Sequence, residues 1–268
     1  MINLQKRRDY EASLNNILHK APMEAGVERV VITLLNDILD DLGKWPELSA
    51  EDTPNFGGGQ KTDWYSTIRQ YYGLHSGDPD GMILDDSVTY QQAKDNPGDK
   101  LQPHALIEVK DLGINQNNVA FTGSGANTVI QELENDPNTK DIIKEILNIV
   151  CKLKIGQSEQ FKDKWEVEVL SHKGTDYPIE IRDSSKTVAS LHQLDIYLLD
   201  LYACDNINYV IWTNGLCWKI WKKDASGNID LGKPDFDTKA QLGYVKNNNV
   251  QIDPNEFNAL INYLHSIL

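Results

Sequence analysis

The chain is short of cysteine, of basic residues and of long apolar runs, and each shortage removes a class of protein. Only Cys151, Cys204 and Cys217 occur in 268 residues. They are odd in number and widely spaced, form no CxxC pair and offer no disulfide framework, so a reducing cytoplasm is the expected setting. The longest apolar runs, such as 30–35 broken by Thr33, fall far below the roughly 20 residues that span a bilayer. No apolar stretch follows the N-terminal Lys6-Arg7-Arg8, so neither a membrane span nor a signal peptide is expected. Lysine and arginine number 26 against 40 acids, a net charge of −14. Phosphate neutralisation supplies most of the affinity for nucleic acid, and a chain of this charge is repelled by it at long range. Solubility is one reading of that charge. The other is that a nucleic-acid substrate has to be delivered by a partner.

Familiar catalytic and binding motifs are missing as well. Gly57-Gly58-Gly59-Gln60-Lys61-Thr62 has the look of a phosphate loop, but Gln60 stands where glycine must precede the lysine. No Walker A sequence occurs elsewhere. Asp224-Ala225-Ser226-Gly227-Asn228 starts like a calcium loop, yet Ile229 occupies the position that demands glycine, and a turn is expected there. The six histidines show no HExxH spacing, and there is no GxSxG.

What remains is an ordinary globular composition, 40% hydrophobic and 25% charged, able to bury a core. Its length suits one domain carrying an insertion. Apolar periodicity predicts helices over 4–19 and 22–42, the second carrying Val27, Val30, Val31, Leu34, Leu35, Ile38, Leu39 and Leu42 on one face with Gly43 as its stop. Residues 44–62 read as a loop. Strands are predicted at 63–72, 80–85 and 104–110, the last two separated by a polar loop holding Asn96-Pro97-Gly98-Asp99, and 111–127 reads as irregular. A helix follows at 139–154, then a hairpin of 165–170 with 177–182, and a helix at 187–203. Asn214-Gly215 between 209–213 and 216–221 is a strong hairpin signal. Asp253-Pro254-Asn255-Glu256 caps a closing helix with Phe257, Leu260, Ile261 and Leu264 inward.

One stretch carries chemistry. In His104-Ala105-Leu106-Ile107-Glu108-Val109-Lys110, strand alternation sends Leu106, Glu108 and Lys110 to one face. Asp80 stands at the start of the strand 80–85. If the two strands are neighbours, Asp80 and Glu108 can share one Mg²⁺, which prefers oxygen ligands. A water deprotonated near Lys110 then becomes the nucleophile on a phosphodiester. The plainer alternative is an edge-strand Glu and Lys with Asp80 in a turn.

Asp78-Pro79-Asp80 followed by Ile107-Glu108-Val109-Lys110 resembles the PD…(D/E)xK signature of restriction-endonuclease-like nucleases. Gln193-Leu194-Asp195-Ile196-Tyr197 fits a QxxxY helix. Tyr209 to Gly215, followed by Trp218-Lys219-Ile220-Trp221, fits the hairpin that comes after that helix. In this order, over about 20–222, they resemble the N-terminal nuclease domain of type I restriction enzyme R subunits.

The resemblance implies an α/β fold: a restriction-endonuclease-like mixed central sheet flanked by helices, with an inserted helix and hairpin. It implies one nuclease domain over 1–268, with 112–186 as an insertion, because about eighty residues separate Lys110 from Gln193 where the family runs shorter. Asp80, Glu108 and Lys110 become the catalytic set, with Mg²⁺ as cofactor and Mn²⁺ able to substitute. Gln193 and Tyr197, one helical turn apart, become active-site or DNA-binding support; a capping glutamine and a core tyrosine are the alternative. Glu28, near the edge of an apolar helical face, is a further candidate metal ligand, although a first-turn acid favoured by the helix dipole also accounts for it and for Glu24. Glu180-Ile181-Arg182 imitates the catalytic strand, but arginine does not readily give up a proton and no Pro-Asp pair lies upstream. The implied activity is magnesium-dependent endonucleolytic hydrolysis of double-stranded DNA in a restriction–modification or phage-defence system. Modification and specificity subunits are the implied partners, with no membrane involved. The rival readings are a non-catalytic interaction module and an acidic DNA mimic.

Overall fold

Two runs of alternating apolar side chains, in 81–109 and 209–222, supply the centre of the molecule. The structure is a computed structural model that describes residues 2–20, 24–52, 72–74, 79–96, 98–112, 125–170, 178–238 and 242–268. From the N-terminus it forms α1 (Ile2–Lys20), α2 (Glu24–Asp41), β1 (Leu48–Asp52), β2 (Gly81–Asp85), a short α3 (Tyr90–Asp95) and β3 (Gln102–Val109). Next come α4 (Gly125–Leu133), α5 (Thr139–Val150), β4 (Ser158–Phe161), β5 (Trp165–Val169), β6 (Ile179–Asp183) and β7 (Lys186–Leu191). The last part holds α6 (Gln193–Ala203), β8 (Tyr209–Thr213), β9 (Trp218–Lys222), β10 (Phe236–Asp237), β11 (Gly243–Lys246), β12 (Asn249–Ile252) and α7 (Pro254–Ile267).

The main sheet has the order β1-β2-β3-β8-β9-β10. Among the described residues its only parallel pair is β3 with β8, where Ala105 faces Tyr209 and Val109 faces Thr213; the other pairs are antiparallel. A parallel pair needs a long crossover, and here the chain from 110 to 208 supplies it. Strand alternation gives each face of the sheet its own core. Ile83, Ala105, Ile107, Val109, Ile211 and Ile220 pack with residues of α1, α2 and α7, including Leu14, Val31, Leu35, Phe257 and Leu260. Met82, Leu106, Val210, Trp212 and Trp221 pack on the other side with α5, α6 and the buried face of a second sheet, β4-β5-β6-β7. The molecule is thus mixed α/β, with a mixed central sheet covered by helices. Burial of each Leu or Ile in these clusters contributes roughly 1.5–3 kcal/mol, so neither face can be left bare.

The structure revises several boundaries. Residues 48–52, expected in a loop, pair with β2 from Leu48↔Asp85 to Asp52↔Gly81. Asn36 of α2 makes this possible: its amide nitrogen donates to the Ala50 carbonyl at 2.8 Å and its amide oxygen accepts from the Ala50 N–H at 2.8 Å. The polar side chain thereby satisfies backbone groups that β2 does not. Residues 186–191, expected as the start of a helix, form β7, and α6 begins at Gln193 behind the N-cap His192. Ala189 and Leu191 alternate inward along β7, a period too short to stand out in the sequence. α3 and α4 appear where a polar loop and an irregular stretch were expected. The predicted helix at 139–154 stops at Val150. The strand predicted at 63–72 lies almost wholly outside the described residues, as does 53–62.

The stretch marked as an insertion ends in the middle of a structural unit, because β7 completes the sheet begun by β4. That sheet shares a core with the central one: Val167, Ile181 and Leu191 sit in the same cluster as Leu106 and Val210. Glu180 and Arg182 lie on β6 within this second sheet, paired with β5 and β7 and not with β2.

Candidate functional site

The register of β2 on β3 decides what meets at their end. Gly81 lies opposite Ile107, so the next residue back, Asp80, comes alongside Glu108. Asp80 Oδ2 accepts a hydrogen bond from the Val109 N–H at 2.6 Å. Gly81 lets α2 and β1 lie close against the start of β2, since a Cβ there would stand 2.9 Å from Ile32 Cδ1 and 3.0 Å from the Glu51 carbonyl oxygen. Beyond Val109 the chain stays paired, with Lys110 N–H donating to the Thr213 carbonyl at 2.9 Å. Pairing to that point keeps Glu108 and Lys110 on one face of the sheet.

Glu108 is 2% exposed, and among the described residues its Oε2 has no hydrogen-bond partner. Its Oε1 is in direct contact with Lys110 Nζ. Lys110 Nζ also lies 3.6 Å from Glu24 Oε1 and donates to Gln193 Oε1 at 3.1 Å. Gln193 Nε2 donates to the Tyr197 hydroxyl at 3.3 Å, and Tyr197 hydrogen-bonds Glu108. Gln193 and Tyr197 of α6 therefore stand on the same small constellation as Glu108 and Lys110 of β3.

Carboxylate oxygens of Glu24, Asp80 and Glu108 all lie within 4.8 Å of one another, a group able to hold a metal ion. Glu28, the helical acid picked out by sequence, is half-buried one turn further along α2 and is not among these three. The first turn of α2 brings Glu24 to the site, as its ion pair with Lys110 shows. In the sequence Glu24 could be read only as a helix-dipole acid, because no local pattern reveals which end of a helix faces a distant strand.

The electrostatics follow from burial and crowding. Burial, reinforced by Asp80, pushes the Glu108 carboxyl up to about 8, against the opposing pull of Lys110 and Tyr197. Burial works to lower the Lys110 ammonium, but Glu108, Glu24 and Asp80 outweigh it and hold Lys110 above its ordinary value. A buried carboxylate oxygen without a partner is costly unless a cation or proton satisfies it. Three oxygen donors around such an atom fit a small divalent cation of the Mg²⁺ or Mn²⁺ kind.

Two neighbouring features hold the site in place. In the turn after β8, Asn214 Oδ1 accepts from Leu216 N–H at 3.0 Å and Cys217 N–H at 2.7 Å, while Thr213 Oγ1 accepts from Gly215 N–H at 2.9 Å. Gly215 has φ +84°, and a Cβ there would lie 3.1 Å from both Leu14 and Val27. Its carbonyl accepts from the Tyr10 hydroxyl at 2.7 Å. The Thr-Asn-Gly turn is thus a seat for α1 and α2. The second feature, Asp195, was not singled out by sequence. It is 0% exposed, its Oδ1 accepts from Ala126 N–H at 3.0 Å and its Oδ2 from His192 N–H at 3.0 Å. It joins the start of α4 to the start of α6, just where Gln193 leaves the cap. An acid three residues after His192 is capping-box spacing and could have revealed it.

Other candidates lead elsewhere. Arg182 is taken up by Glu180 and Glu168 on the second sheet. Asp224 Oδ1 accepts from Ser226 N–H at 2.8 Å and Asn228 N–H at 2.9 Å, closing a turn. No helix among the described residues is long and apolar enough to cross a membrane. Compared with known proteins, the chain matches no family model, and no curated protein or solved structure is significantly similar to it.

Proposed function

We propose that this chain is a metal-dependent DNA endonuclease with a restriction-endonuclease-like fold, using Asp80, Glu108 and Lys110 as its catalytic set. One observation carries the reading: a buried Glu108 with an unpartnered oxygen converges with Asp80 and Glu24 beside the Lys110 ammonium. Asp80, Glu108 and Glu24 would hold the ion. When bound, Mg²⁺ supplies Lewis-acid stabilisation of the charge that develops on a phosphodiester under attack.

The chain's own groups do the rest. Lys110 stays protonated at neutral pH, so it supplies positive charge to the reacting phosphate and orients the attacking water instead of acting as a base. Gln193 and Tyr197 position that ammonium: the first accepts from Lys110 and the second bonds Glu108. Both sit on α6, whose start is fixed by Asp195, so the relation between helix and strand is set before substrate arrives.

Double-stranded DNA is the proposed substrate. The charge of −14 supports delivery by partner subunits, such as the modification and specificity subunits of a restriction system. The test is cleavage of a duplex oligonucleotide by the purified chain at low salt with Mg²⁺ or Mn²⁺. Metal-dependent cutting that disappears in Lys110→Ala supports the proposal. Equal cutting by wild type and variant contradicts it.

A further inference from the structure

We infer that Lys110 is the resident counter-cation of the three-carboxylate cleft, and that a divalent ion enters by displacing its ammonium from Glu108, so that this lysine sets the metal affinity of the site. The inference deepens the proposed metal-dependent reading and rests on it.

When all three are ionised, carboxylates whose oxygens lie within 4.8 Å of one another repel, most of all at the buried Glu108. In this structure the repulsion is answered from within the chain. Lys110 Nζ contacts Glu108 Oε1 and lies 3.6 Å from Glu24 Oε1. The ammonium therefore engages two of the three acids that an ion would need. Asp80 has one oxygen committed to the Val109 N–H. The buried Glu108 Oε2 is the atom left for an incoming cation.

A divalent ion drawn to Glu108 and Glu24 meets the ammonium at the same carboxylates. Two cations drawn to the same carboxylates repel one another, so the weaker charge moves. Lys110 has somewhere to go: Gln193 Oε1, a neutral acceptor, already receives its hydrogen bond at 3.1 Å. The lysine stem is flexible, and a small rotation exchanges an ion pair for the Gln193 contact and water. Cation binding and lysine release are thus two sides of one linked equilibrium.

The experiment is calorimetric titration of the full chain with Mn²⁺, comparing wild type with Lys110→Met, which keeps the length and removes the charge. Removal of the competing cation should tighten Mn²⁺ binding on the order of tenfold. In wild type, the side-chain nitrogen resonance of Lys110, followed by lysine-selective NMR, should shift during Mg²⁺ titration with the midpoint found by Mg²⁺ calorimetry. Equal or weaker Mn²⁺ binding by folded Lys110→Met overturns the displacement and leaves the metal site standing. Absence of Mn²⁺ binding in both proteins removes the metal site and the inference together. If Lys110→Met does not fold, the wild-type resonance decides, and one that stays fixed while Mg²⁺ saturates the protein overturns the inference.

Discussion

Asp80 and Glu24 are the two acids at the site with some access to water, and each has a distinguishable part. Asp80→Ala removes a proposed ion ligand and the acceptor of the Val109 N–H, so Mn²⁺ affinity should fall and cleavage should vanish. Glu24 and Glu28 make a sharper pair. Glu24→Gln should weaken Mn²⁺ binding on the order of tenfold, whereas Glu28→Gln should change it by no more than about twofold. Calorimetry that ranks them the other way would return the ligand role to Glu28. Glu108 also gives the metal-free protein a pH signature. Its folded-state pKa is raised to about 8 from an ordinary 4.5, so the folded chain binds an extra proton between those values. The associated stability is fully present below about pH 4.5 and is lost as pH rises through about 8. Urea midpoints measured with chelator should therefore fall over that window in wild type and fall less in Glu108→Gln. Parallel curves for the two proteins would show that Glu108 ionises normally in the folded state.

Elements whose reason for existing is local could be read from the sequence, and those held by distant partners could not. The apolar face of α2, the alternation of 104–110 and the Asn214-Gly215 turn each carry their pattern within a few residues. So does the Asp253 cap, which accepts from Asn255 and Glu256 N–H groups. β1 offers only a short alternation, Leu48 and Ala50 against Ser49 and Glu51, too brief to mark a strand, and it exists because β2 and Asn36 satisfy its backbone. Asn36→Ala should leave the Ala50 N–H and carbonyl without a side-chain partner and cost about 1–3 kcal/mol. A loss below about half a kcal/mol on chemical denaturation would mean that water substitutes for the amide. The candidate site divides in the same way. Asp80, Glu108 and Lys110 are legible as a spaced set, and Gln193 with Tyr197 as one helix face. Glu24 is not legible, since its role depends on where a helix end lands across the fold, and Asp195 shows in the sequence only its capping-box spacing, not its bond to the start of α4. Asp195→Ala should cost about 1–3 kcal/mol through lost backbone acceptors. It should also lower kcat more than it raises KM, because Gln193 and Tyr197 lose their fixed start.

At the scale of the molecule, the hydrogen bond from Lys110 to Gln193 joins the β3 and α6 parts of the site across 83 positions of chain. Its charge then decides how that site is used. A net charge of −14 surrounds any approaching duplex with repulsion, and a bound ion relieves only the local part. Wild-type chain alone should bind duplex DNA poorly by fluorescence anisotropy. Its cleavage should require high protein concentration, low salt or partner subunits, and tight salt-insensitive binding would be incompatible with this account. The most direct test of the central claim is nicking of supercoiled plasmid at low salt, with Mn²⁺ and with chelator, by wild type and by Asp80→Ala. The account predicts nicking by wild type that needs the metal and is absent in the variant. Metal-independent nicking, or nicking that survives in Asp80→Ala, would contradict it.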